Sequence, residues 1–159
     1  MPSGTEFITH EFDEAIAIQQ SIVDAGTALS ASHPVASAKR QIQAALKVDQ
    51  RHLADLKKFG KPFGASGKRE EVAEALGTLA DETSKKAGSE ESEAYEAHAV
   101  LLNLKRKQQD SADAMVKIAR DRKDTDLRDA AMKMKKEIKA GADALGKSLA
   151  EFAVRIASA

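Results

Sequence analysis

Apolar residues recur at alternating steps of four and three along four long stretches of the chain, the spacing of a helix that buries one face. In the first stretch, residues 6–31, the stripe is Ile8, Phe12, Ala15, Gln19, Ile22, Gly26 and Leu29, with Ile16 and Val23 widening it. The second, 34–59, carries Ala38, Ile42, Ala45, Asp49, His52, Leu56 and Phe59. The third, 89–122, shows Ala94, Ala97, Leu101, Leu104, Gln108, Ser111, Met115 and Ile118. The fourth, 125–157, shows Leu127, Ala130, Met134, Ile138, Gly141, Leu145, Phe152 and Ile156.

Breakers separate these stretches. SASHP ends the first, and Pro34, which lacks an amide hydrogen but fits a first helical turn, places the second helix from there. RKDTD ends the third and offers Asp124 or Thr125 as the next N-cap. Residues 60–88 form a long crossover. GKPFGASGK within it is a loop. REEVAEALGTLADETSKKAG is a short amphipathic helix with Glu70 and Glu71 at its positive end and Lys85 and Lys86 at its negative end. Short turns force antiparallel neighbours, whereas the crossover lets the third long helix run parallel to the second. The pattern predicts a single all-α domain over residues 1–159, an up-down four-helix bundle with one long crossover containing a short helix.

Composition changes this picture little. The chain has 159 residues, enough for one sizeable core, and 31% charged residues with no Trp and one Tyr. Twenty-five basic and 25 acidic side chains cancel, so no overall field would hold the chain on nucleic acid or an anionic membrane. The absence of cysteine removes disulfides, thiol nucleophiles and iron–sulfur clusters. No apolar run is long enough to span a membrane and no export leader is recognisable, so the cytoplasm is the expected compartment. No phosphate loop or Ser-His-Asp set is present, and GASGK at 64–68 lies in the wrong context for a P-loop.

Chemistry enters through polar residues on the apolar stripes. Gln19, Asp49 with His52, Gln108 and Glu137 all lie near mid-helix. Gln19 and Asp49 are about 30 residues apart, as are Gln108 and Glu137, so the two halves read as copies of one hairpin that bring these side chains to a common height. The pattern resembles the ferritin-like superfamily. Its dimetal centres take one Glu from each of two helices and a Glu-x-x-His pair from each of the other two. Asp49-Gln50-Arg51-His52 matches that pair with an acid exchanged, Glu137-Ile138-Lys139-Ala140 keeps the acid without the His, and Gln19 and Gln108 stand at the single-carboxylate positions. The resemblance implies a degenerate metal site and a non-catalytic binding or structural role, with no cofactor, in a family that allows a stress-related function. The alternative it implies is iron or manganese held by Asp49, His52 and Glu137, for redox or storage activity. Without metal, the two Gln amides are expected to pair with the acid and the imidazole.

Other histidines read as structural. His33 precedes Pro34 as a cap neighbour. His98 reads as a partly exposed helical residue, since a hemerythrin-like set including His10 and Glu14 would need histidine on the fourth helix, which has none. KRK at 105–107 and Lys133, Lys135, Lys136 and Lys139 are expected on a solvated face, not in a nucleic-acid groove. The first helix carries more apolar residues than one stripe needs, among them Phe7 and Ile18, which points to a homodimer through that helix. An unidentified protein partner is also expected.

Overall fold

The computed structural model describes residues 3–159. It contains α1 (Gly4–Ser32), α2 (Ala36–Gly60), α3 (Glu71–Lys86), α4 (Glu91–Asp121) and α5 (Thr125–Ala157), with a 3-10 turn at Lys61–Phe63. The protein is all-helical, and no strand occurs among the described residues.

Local chemistry explains where the helices begin and end. Ser3 and Glu6 cap α1 reciprocally, the Ser3 hydroxyl accepting from the Glu6 amide at 3.2 Å and the Glu6 carboxylate from the Ser3 amide at 2.5 Å. Asp124 caps α5 by accepting from the Leu127 amide at 3.1 Å. Three starts differ from expectation by two residues, α1 beginning at Gly4 directly after its Ser3 cap. α2 begins at Ala36 because Pro34 holds His33 extended, making it the end of α1. α4 begins at Glu91 because the Ser89 hydroxyl donates to Lys86 O, at 2.7 Å, and so finishes α3.

The four long helices form a square in the order α1, α2, α5, α4, with every neighbouring pair antiparallel. Gln108 of α4 meets Ala15 of α1, and Met115 lies with Phe12 further down; on the opposite side Gln41 of α2 meets Ser148 of α5 and Arg51 meets Glu137. α2 and α4 therefore run parallel across the diagonal. The crossover returns along the outside and lays α3 against both α1 and α4 through the small residues Ala73, Gly77 and Ala80.

This placement of α3 accounts for the apolar surplus of α1. With α2, α3 and α4 around it, α1 buries Ile8, Phe12, Ile16, Ile18 and Ile22 inside the chain and leaves Phe7 half exposed. Much of the apolar surplus of α1 is thus packed within the chain, against α2, α3 and α4, while Phe7 stays at the surface. No described helix is long and apolar enough to cross a membrane.

The apolar core divides into two clusters. One surrounds Ile22, Leu29, Leu101, Leu104 and Leu145; the other surrounds Phe12, Leu56, Met115, Leu127 and Met134. Between them, on all four long helices, lies a polar layer.

Candidate functional site

The layer is built from residues in helical register with the stripes. Gln19 donates through Nε2 to the main-chain carbonyl of Asp49 at 2.9 Å. Gln108 donates through Nε2 to Ala15 O at 2.7 Å and to Gln19 Oε1 at 3.0 Å. The Asp49 carboxylate accepts from Lys105 Nζ at 3.2 and 3.4 Å, with both residues buried. His52 is 1% exposed, and neither of its ring nitrogens has a hydrogen-bond partner among the described residues. Its Nε2 lies 3.7 Å from Glu137 Oε1, while the Glu137 carboxylate is taken by Arg51 at the solvent edge.

All five residues singled out from the sequence therefore meet at one level, but their pairing differs from expectation. The amides bind each other and the main chain instead of the acid and the imidazole, because helix carbonyls lie within their reach. The partner of Asp49 is Lys105, which was expected on the solvated face. Its register could have revealed it: Leu101, Leu104, Lys105 and Gln108 are spaced as one helical face, and the KRK run concealed that periodicity.

Beside this layer lies a cavity of about 250 Å³, lined by Gln19 and Ile22 of α1, Ala45, Val48, Asp49 and His52 of α2, Lys105 of α4, and Glu137, Ile138, Ala140 and Gly141 of α5. It exists because α2 and α5 approach each other least of the neighbouring helices and present alanine and glycine where larger residues would close the gap. Arg51 and Glu137 bridge α2 to α5 between the cavity and solvent. A larger depression of about 540 Å³ lies between the start of α1 and the end of α4. It is framed by Phe7, Lys117 and Arg122, with no buried polar group converging on it.

Burial pushes the His52 imidazole below its ordinary pKa, opposed in part by the Glu137 and Asp49 carboxylates, so the ring is neutral at pH 7. A neutral ring has one N–H donor and one lone-pair acceptor, and here neither nitrogen has a partner within hydrogen-bond length, the Glu137 carboxylate standing 3.7 Å from Nε2. As arranged, Asp49, His52 and Glu137 do not fit a metal: one carboxylate faces Lys105 and the other Arg51. Among the described residues no cluster of three or more His, Asp or Glu is placed to hold an ion.

No protein-family model, curated protein or solved structure matches the chain.

A second polar cluster was missed at the sequence level. His98 is fully buried, not partly exposed, and joins the α1–α2 turn to α5. The Val35 amide donates to His33 Nδ1 at 3.0 Å, which leaves the His33 proton on Nε2. Nε2 then donates to His98 Nδ1 at 2.9 Å, and His98 Nε2 donates to Leu145 O at 3.0 Å. Each tautomer follows from the one before it. Burial, His98 and Arg155 together push the His33 pKa down to about 4, and burial lowers that of His98 despite the Leu145 carbonyl. The chain of hydrogen bonds uses all four ring nitrogens, so it offers no free donor or acceptor to a ligand. His10, by contrast, lies on the surface 3.8 Å from Glu14.

Proposed function

We propose that this chain is a ferritin-like one-crossover bundle acting as a non-catalytic binding protein, with the cavity beside His52 as its binding site. The observation that carries this reading is the Lys105–Asp49 pair. At the level where the resemblance implies metal ligands, a side-chain ammonium neutralises the acid, and the two Gln amides satisfy carbonyl groups. A buried ion pair of this kind holds the centre together without an added cation, and it leaves an aliphatic cavity with one free imidazole beside it. Nothing in the layer supplies a nucleophile paired with a general base.

A second reading is favoured by one feature, the two free ring nitrogens of His52 at 3.7 Å from Glu137. If Lys105 and Arg51 swung away, Asp49, His52 and Glu137 would offer two carboxylates and an imidazole to iron or manganese.

Elemental analysis of protein purified without an affinity tag, followed by Fe(II) and Mn(II) titration, separates the two. The binding-protein reading expects no stoichiometric metal and no saturable uptake at micromolar concentrations. One equivalent of metal that disappears in His52→Ala would overturn it in favour of the metal protein.

A further inference from the structure

The cavity beside His52 is chemically specific. Its walls are chiefly aliphatic, from Ile22, Ala45, Val48, Ile138 and Gly141. Its charged groups are already matched, Asp49 with Lys105 and Glu137 with Arg51. An incoming anion would meet two carboxylates and an incoming cation would meet the ammonium, each without a free counter-charge, so the site disfavours both. Neither ring nitrogen of His52 has a hydrogen-bond partner among the described residues, and both are shielded as the side chains stand; Nε2 lies 3.7 Å from Glu137 Oε1, so displacing that carboxylate opens it to an incoming group. A hydroxyl can donate to that nitrogen or accept from it, whichever tautomer the ring holds, and so satisfies one of the two ring nitrogens.

We propose that this cavity takes a small, uncharged, largely apolar molecule bearing a hydroxyl, a simple phenol or short alcohol, with the hydroxyl bonded to His52. The assignment rests on the binding-protein reading above and adds the class of ligand. At the packing density of protein interiors, about 250 Å³ accommodates a body on the order of ten heavy atoms, the size of a substituted phenol. Entry is between α2 and α5, where the helices are least tightly apposed and the Arg51–Glu137 bridge is the polar closure. Water is the competing occupant. It would satisfy one ring nitrogen but leave the aliphatic walls wet.

Three probes with one shared framework test this: p-cresol, toluene and 4-methylbenzoate, titrated into the full chain and followed by the imidazole nitrogen resonances of His52 and by calorimetry. We expect p-cresol to bind with a Kd below about 1 mM. Toluene should bind about tenfold more weakly for want of the hydrogen bond, and the benzoate should not bind. His52→Leu should abolish the preference for p-cresol over toluene. Gly141→Leu should block both, since the nearest atom a Cβ there would meet is Lys105 Nζ at 3.9 Å and the added side chain is directed into the space.

Equal binding of toluene, tighter binding of the benzoate, or p-cresol affinity undiminished in Gly141→Leu would overturn the proposal. So would the absence of any p-cresol binding, which would leave water as the occupant. If His52→Leu fails to fold, the three-probe ranking on the natural chain and the Gly141→Leu block still decide. Metal analysis of the same preparation keeps the two readings apart. Stoichiometric iron or manganese overturns the binding-protein reading itself, whereas metal-free protein that ignores p-cresol overturns the ligand class alone.

Discussion

At the residue scale the Asp49–Lys105 pair bears the sharpest consequence. Both side chains are about nine-tenths buried, so removing one partner leaves a desolvated charge without compensation. Lys105→Met is expected to cost about 3 to 5 kcal/mol, and Asp49→Leu with Lys105→Met together should recover most of that loss, because a buried pair replaced by apolar groups is often neutral. Denaturant unfolding of the two single variants and the double variant measures this. Additive losses would mean that the ammonium and the carboxylate are not coupled. A second residue is set against its backbone. Lys123 follows α4 with φ +58, closing a Schellman turn in which the Asp124 amide reaches Ala119 O at 2.8 Å and the Lys123 amide reaches Arg120 O at 3.2 Å. Glycine is the residue that fits this position without steric cost. Lys123→Gly should therefore stabilise the protein by up to about 1 kcal/mol, read as a raised denaturant midpoint; a lowered midpoint would show that the lysine side chain contributes more than the strain removes.

At the scale of elements, α1 fastens the start of the crossover through Thr9, whose hydroxyl donates to Phe63 O at 2.6 Å, and through Asp13. The Asp13 carboxylate of α1 accepts from the amides of Ser66 and Gly67 at 2.7 and 2.8 Å, and this directs the chain toward α3. Gly67 has φ +84, and a Cβ there would lie 2.6 Å from Ile16 Cγ2. Gly64, at φ +77, faces open space. Gly64→Ala should then cost about 1 kcal/mol from the backbone alone. Gly67→Ala should cost at least about 2 kcal/mol and accelerate hydrogen exchange in α3, since the clash adds to the strain. Equal costs would place the crossover free of Ile16. Helix ends were readable to within about two residues because breakers and caps act over three or four residues: Asp124 caps α5 as expected, whereas Pro34 marks the break but precedes α2 instead of lying in its first turn. The common height of Gln19, Asp49, His52, Gln108 and Glu137 was readable because near-equal spacing in two hairpins survives folding. Which groups would pair was not, since that depends on interhelical distances. Lys105 was hidden by two neighbouring basic residues, His98 by the need to know where His33 lies, and the surplus face of α1 by a fifth helix whose docking no local periodicity reveals.

At the scale of the whole molecule, the polar layer divides two apolar clusters, while the histidine pair ties one end of the bundle, joining the α1–α2 turn, α4 and α5. That end also holds Ser148, whose hydroxyl oxygen lies 3.3 Å from His98 Nε2, the Phe152 ring, 5.0 Å from that of His33, and the Arg155–Glu91 bridge at 2.5 Å. Every ring nitrogen in the pair has a fixed role, so a proton added to either ring sets two N–H groups against each other or drives N–H against the Val35 amide. In the unfolded chain these histidines titrate near 6.5; in the fold His33 is held down to about 4, and His52 and His98 are lowered as well. Between those values the unfolded state binds more protons, so stability is fully present above about pH 6.5 and falls as pH drops toward 4. His33 alone accounts for a loss on the order of 2 to 3 kcal/mol over that window. Unfolding free energies at intervals from pH 7.5 to 4 should trace this decline, and His33→Asn tests its origin. The amide oxygen of asparagine can still accept from the Val35 N–H, yet it does not titrate, so the variant should show a shallower profile with its stability at pH 5 closer to that at pH 7. A profile as steep as that of the natural chain would remove His33 from the acid response and leave His52, His98 and the carboxylates to explain it.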